Sequence, residues 1–361
     1  NALAIGNYFI HTINRDVTER YIVVADNTSL RVFGFDGTEY TVATPSGYAY
    51  LSTGNPLTDF KSVTIADFTF ILNKSITTSV TASTSTVAYP EGIVNVKQGN
   101  YSQDYKVFID NTQRATYTTS DTNKADLKTN NIADQLATQL VANLGSVYTV
   151  TWDGSAIRIQ RTDGNDFTLR TEDSFGNAAL IGSKGSVQRF SDLPRRGFNG
   201  VKMKVIGEEN SEADNYYVEY ESGDTSQGIW KESIAEGADS TINPSTMPWK
   251  LVREANGTFT FQPNEWISRS VGDEISTSDP SFVGKKLNDV FFHRNRLGLI
   301  ADENVIFSRS GEYFSFYPET ITTVLATDPI DVAVSHTKVS ILRHAIPFNE
   351  TLLLFSDQTQ F

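Results

Sequence analysis

Runs of four to six apolar and β-branched residues, broken by Asp, Asn and Gly, recur along most of the 361-residue chain and predict antiparallel hairpins. Segments 21–25 and 30–35 flank Asp26-Asn27-Thr28, and Asp36-Gly37 turns the chain again. Segments 63–66 and 69–72 flank Asp67-Phe68. Segments 290–293, 297–301 and 305–308 follow one another, with Asn295 and Asp302-Glu303-Asn304 between them. VVADNTSLRV, TIADFTFIL and LIADENVIF each set an apolar strand, then Ala-Asp, then a second apolar strand. Such an echo at separated positions is what blades of a propeller-like array would leave, although unrelated hairpins share the same grammar.

The texture changes at 75–86, where nine of twelve residues are Ser or Thr, an extended crossing or linker. Strands at 105–109 and 115–119 then precede a helix in which Ile132, Leu136 and Leu140 fall four apart and Ala133, Ala137, Val141 and Leu144 widen the apolar stripe. Asn130 or Asn131 is placed to cap its start, Asp134 falls in its first turn, and Gly145 is placed to end it. Segments 147–152, 156–160 and 167–170 complete a β-β-α-β-β-β unit. Strands resume at 201–206, 216–221, 229–232, 249–253 and 258–261. The fold expected is mainly β: a distorted, propeller-like antiparallel array over 1–88 and 280–361, an inserted α+β domain over 89–185, and a second β-rich inserted lobe over 186–279.

Composition narrows function more than fold. With 39% hydrophobic and 11% aromatic residues the chain carries real cores. No run of about 18 apolar residues spans a membrane, and the start has no signal-peptide pattern. The missing initiator Met reads as processing, trimming or an internal start. Zero Cys excludes disulfides and thiol chemistry. Thirty Lys+Arg against 43 Asp+Glu gives −13, the wrong sign for gripping nucleic acid by phosphate neutralisation. Neither G-x-G-x-x-G, G-x-x-x-x-G-K-[ST] nor G-x-S-x-G occurs, and His11, His293, His336 and His344 lack metal-ligand spacing. Asp121-Thr122-Asn123 with Asp126 lacks the Gly and Glu of a calcium loop and reads as a turn. No cofactor and no metal are expected.

Two groups of side chains stand out. Glu208, Glu209, Glu212, Asp214, Glu219, Glu221 and Asp224 form an acidic cluster, with Glu219 and Glu221 alternating with Val218 and Tyr220 so that both face one side of a strand. That is either an ordinary solvated sheet face or a surface built to repel anions. Arg195 and Arg196 lie near Phe198, and Arg294 and Arg296 near Phe292, a pairing common at protein–protein contacts and also on plain surfaces.

PSFVGKKLNDVFFHRNRLG (280–298), DENVIFSRSGEYFSFYPET (302–320), ATDPIDV (326–332) and LLLFSDQTQF (352–361) resemble tail tubular protein B, the nozzle protein of podovirus tails. So do STMPWKLVR (245–253), PLTDFKSVTIADFTFILNK (56–74) and PEGIVNVKQGNYSQDYKVFIDN (90–111). None of these motifs is catalytic. The resemblance implies a distorted propeller with platform and tip insertions, and a homo-hexameric ring in the virion tail. That ring would sit beneath the adaptor (tail tubular protein A), with tail fibres as further contacts and duplex DNA passing through without being held. Nozzle proteins are longer than 361 residues, so a distal tip portion is expected to be missing beyond the strand-like run at the end. On this reading the acidic cluster belongs to the channel surface and the four arginines to subunit interfaces. The competing readings are a tail-associated carbohydrate depolymerase and a receptor-binding adhesin module.

Overall fold

Alternating inward and outward residues between Phe9 and Tyr40 give the expected β-meander. A computed structural model describes residues 6–81, 88–207, 212, 214–238, 240–335, 340–357 and 359–361. Strands Phe9–Asn14, Arg20–Ala25, Leu30–Gly34 and Glu39–Tyr40 pair in sequence order. The Asp26 carboxylate closes the second hairpin by accepting from the Thr28 and Ser29 amides at 2.7 Å each. The inward set, Ile13, Tyr21, Val23, Leu30 and Val32, packs on Phe60, Ile71, Trp249, Leu251, Phe259 and Phe261 of a second sheet.

That second sheet has five strands in the order Val42–Ala43, Phe259–Gln262, Trp249–Arg253, Phe68–Asn73 and Phe60–Ile65. Phe68–Asn73 is buried along nearly its whole length, its polar Thr69 and Asn73 included, because it lies inside the sheet with both faces covered. Its other face, through Ile65, Phe70 and Leu72, meets Leu287, Leu297, Leu299, Ala301 and Ile306 of a third sheet. The strands of this third sheet are Leu287–His293, Arg296–Ala301, Asn304–Phe307 and Ile330–Ala333. Beyond it the hairpin Leu342–Phe348/Thr351–Ser356 packs through Leu342 and Ala345 onto Phe291, Ile300 and Val305. Three sheets and a hairpin therefore stack face to face, and segments more than 200 residues apart share one core. The body is mainly β.

The three Ala-Asp echoes do form hairpins, but in different registers. Ala66-Asp67 is a two-residue turn with Ala66 at φ 50°. In the last echo Ala301 still pairs with Asn304, and Asp302-Glu303 turns with Asp302 at φ 51°. The first uses a four-residue connection between Ala25 and Leu30. The Ser/Thr run is knit into the array as far as it is described. Thr77 bridges Lys286, the Thr78 amide donates to the Lys285 carbonyl at 2.9 Å, and Val80–Thr81 pairs with Thr241–Ile242. Residues 82–87 lie outside the described residues.

The helix spans Thr129–Leu144 and buries Ile132, Ala133, Leu136, Ala137, Leu140 and Leu144. Its start differs from expectation. Lys128 occupies the cap position without a side-chain cap, so Asn130 and Asn131 both lie inside the helix. Asn131 donates to the Tyr117 hydroxyl instead, at 3.2 Å. Asp134 falls beyond the first turn and accepts from Trp152 Nε1 at 3.1 Å. Gly145 ends the helix at φ 73°.

The strands around the helix divide between two sheets. Thr112–Thr118, Asp104–Ile109 and Leu169–Asp173 form one. Tyr148–Asp153 and Ala156–Arg161 join Glu91–Val96, Leu180–Lys184, Ser186–Val187, Lys202–Val205, Tyr216–Ser222 and Gly228–Ser233 in another, which runs continuously across residue 185. The helix also closes a sheet edge. Gln139 Oε1 accepts from the Thr116 amide (3.0 Å), Gln139 Nε2 donates to the Thr116 carbonyl (2.8 Å), and Asn143 Nδ2 donates to the Arg114 carbonyl (2.8 Å). Side chains thus stand where a neighbouring strand would otherwise pair.

Candidate channel and assembly surfaces

Charge is not spread evenly along the sequence. Residues 186–279 hold nine Lys+Arg against sixteen Asp+Glu, so −7 of the net −13 falls in about a quarter of the chain. Within it, strand Tyr216–Ser222 turns Val218 and Tyr220 into the core and leaves Glu219 and Glu221 on the other side. Neighbouring strands answer those charges. Lys202, opposite Glu219 in the register, approaches it to 3.7 Å, and Lys231 pairs with Glu221. The strand face is therefore a zipper of opposite charges. Glu212, Asp214 and Asp224 are exposed, with no ion pair to them among the described residues. Glu208 and Glu209 lie outside the described residues. Beside this face Tyr217 donates to Asp273 Oδ2 at 2.9 Å, and burial together with that carboxylate pushes the phenol up to about 12.

The four arginines separate into distinct roles. Arg195 is exposed, and its backbone carbonyl accepts from the Tyr220 hydroxyl at 3.2 Å. Arg196 is half-buried and donates to Ser226 Oγ at 3.1 Å. The Ser226 amide donates to Asp153 Oδ2 at 2.6 Å, and this bond holds the Asp153 carboxyl below its ordinary range. Phe198, nominally their aromatic neighbour, packs inward against the core around Val201 and Met203. Arg294 is exposed at φ 47° in a two-residue turn and lies 3.6 Å from Glu350. Arg296 is 8% exposed and donates to four carbonyls of its own chain: Asp328 (2.6 Å), Ser308 (2.7 Å), Ala326 (2.8 Å) and Thr327 (3.3 Å). Its guanidinium clamps the loop that leads into strand Ile330–Ala333, where a partner has no access to it.

Sequence reasoning passed over a second buried clamp. Arg269, with a side chain 1% exposed, donates to Asp279 Oδ1 (2.9 Å) and the Ala238 carbonyl (2.8 Å). Ser240 Oγ and the Tyr317 hydroxyl donate to the same Asp279 oxygen at 2.6 and 2.7 Å, and burial pushes the phenol of Tyr317 up. Four separated segments meet there. In the sequence Arg269 stands between Ser268 and Ser270, a polar stretch that gives no local signal of a buried cation.

The remaining polar candidates have local partners. His11 shares a hydrogen bond with Thr64 Oγ1 at 2.8 Å, and His344 Nδ1 lies 3.7 Å from Asp289. His336 lies outside the described residues. Asn123 caps a 3-10 turn by accepting from the Ala125 amide, so the calcium-like run is a turn ahead of the helix. Among the described residues no group of His, Asp and Glu is placed to hold a metal ion, and no helix is long and apolar enough to cross a membrane.

The family model described as bacteriophage nozzle protein matches residues 1–361. The chain belongs to the bacteriophage nozzle protein family. Tail tubular protein gp12 of Escherichia phage T7 is 37% identical over 364 residues, covering 98% of this chain and 45% of the relative. The nozzle-family chain thus spans less than half the length of the curated relative it matches. Its nozzle-like segments have structural work in the fold. Arg296 in 280–298 grips the carbonyls of Ala326, Thr327 and Asp328 in ATDPIDV, while Met247 and Trp249 of STMPWKLVR are buried between sheets.

Proposed function

We propose that this chain is a structural subunit of the phage tail nozzle, carried in the virion tail, that encircles the DNA exit channel and guides DNA during ejection without catalysing a reaction. The match of the nozzle family model to the whole chain carries this reading. The face-to-face stack of sheets supports it, being what successive blades of a propeller-like array would present. In this reading 1–88 and 280–361 build the array, 89–185 is the platform-like insert, and 186–279 is a second lobe whose strands from Trp249 to Gln262 return to the array. The partners proposed are five further copies in a hexameric ring, the adaptor ring above, tail fibres at the periphery and duplex DNA in transit. Head-to-tail contacts that close a circle give rotational symmetry. Without Cys, a ring exposed outside the cell must draw its robustness from contacts on the order of 2,000 Å² or more.

Particle images of the full-length protein, together with its mass in solution, test the ring. Six-fold class averages are expected; a monomer or trimer overturns the assignment. The same preparation should release no product from polysaccharide, peptidoglycan or nucleotides. Turnover that disappears on replacing one carboxylate would make the protein an enzyme.

A further inference from the structure

A cleft of about 950 Å³ lies on the eight-stranded sheet, lined on one side by segment 188–196. Its floor includes Asn95, Ser155 and Ser183, polar residues 5%, 8% and 5% exposed. Asn95 sits mid-sheet between Ala156 and Ile181, and its amide nitrogen has no hydrogen-bond partner there. That nitrogen is closed off from solvent, so Asn95 makes the floor polar without donating into the cleft. The rim carries Lys97, Arg195 and Arg196 against one carboxylate, Asp192. Lys184 also lines the cleft, but its Nζ is bound to Asp166 at 2.6 Å. Lys97 and Arg195 are exposed and meet no carboxylate within salt-bridge distance among the described residues. In a chain of net charge −13 this local excess of unpaired cations is unusual.

We propose that this cleft is a binding site for a phosphorylated sugar. Guanidinium and ammonium groups at the rim suit a phosphate, Arg by forked donors and Lys as a point charge. The Ser155, Ser183 and Ser191 hydroxyls and the Gln98 amide along the lining supply the mixed donors and acceptors that ring hydroxyls require. No aromatic side chain lines the cleft, so bases have no stacking platform, which disfavours single-stranded nucleic acid. Duplex DNA is too wide to enter a cavity of this volume.

Calorimetric titration of the full-length protein with glucose 1-phosphate, glucose, inorganic phosphate and a short single-stranded oligonucleotide tests the assignment. Glucose 1-phosphate should bind, glucose alone should not, and Lys97→Ala or Arg195→Ala should weaken binding about tenfold each. Both side chains are exposed, so the variants should keep the wild-type unfolding midpoint. Asn95→Asp, which keeps the shape of the floor and adds a negative charge, should abolish binding. Inorganic phosphate binding as tightly as the sugar phosphate would reduce the cleft to an anion site and overturn the sugar assignment. Tighter binding of the oligonucleotide, no binding at millimolar concentration, or full affinity in both alanine variants would each overturn the proposal.

Discussion

Four carbonyl oxygens gathered around one buried guanidinium make Arg296 the side chain whose loss should reach furthest. Replacing it with Met keeps the apolar stem but leaves those carbonyls without their charged donor. The expected cost is about 3 kcal/mol in denaturant unfolding, with new proteolytic sensitivity in 318–329. A variant as stable as wild type would show the clamp to be redundant. His11 offers a test by pH. Burial lowers its pKa, so the folded chain binds fewer protons there than the unfolded chain just below the ordinary histidine range. Its contribution is therefore intact above that range and lost as pH falls from about 6.5 through the lowered value. His11→Gln should flatten the fall in stability between about pH 7.5 and 5.5. An unchanged slope would place the pH response elsewhere, for example at His293, whose pKa burial also lowers.

At the scale of the element, the helix Thr129–Leu144 is the clearest case of pattern dictating structure. Leu136 is 0% exposed, so Leu136→Ala should cost about 2–5 kcal/mol. Gln139→Ala touches little of the core but removes both bonds to Thr116, so exchange of the Thr116 amide should quicken while its neighbours stay protected. Hairpins with Asp, Asn or Gly turns were readable because strand and turn lie within ten residues of each other. Glu91–Val96 was less so, since a central strand covered on both faces shows no alternation. The two-residue strands Val42–Ala43, Val80–Thr81 and Ser186–Val187 are too short to leave a pattern. Pairing of Trp249–Arg253 with Phe68–Asn73 is set by the mutual burial of Trp249, Ile71 and Leu251, and no local signal encodes it. The candidate arginines failed to sort for the same reason. Arg294 and Arg296 are two residues apart, yet one caps an exposed turn and the other is enclosed.

For the whole molecule the open quantity is the sign of the wall that DNA would meet. Duplex DNA carries one phosphate charge per about 1.7 Å of axis, and screening limits each wall charge to a reach of about 8 Å at physiological ionic strength. Only side chains bordering the bore would therefore matter. Glu219 and Glu221 are largely cancelled by Lys202 and Lys231, which leaves Glu212, Asp214 and Asp224, among the described residues of the cluster, as the acids free to act on a passing polyanion. Reversing those three to Lys in every copy of a ring would turn repulsion into attraction without touching a core residue. If they face the bore, particles carrying the variant should release DNA more slowly than wild type at low salt. They should approach the wild-type rate at high salt, because screening removes only the electrostatic part. Slow release that salt does not relieve would point to misassembly, which images of the variant ring would reveal. Unchanged release at low salt from intact rings would place the acidic lobe on the outside of the tube, and the sliding surface would then have to be sought among uncharged residues.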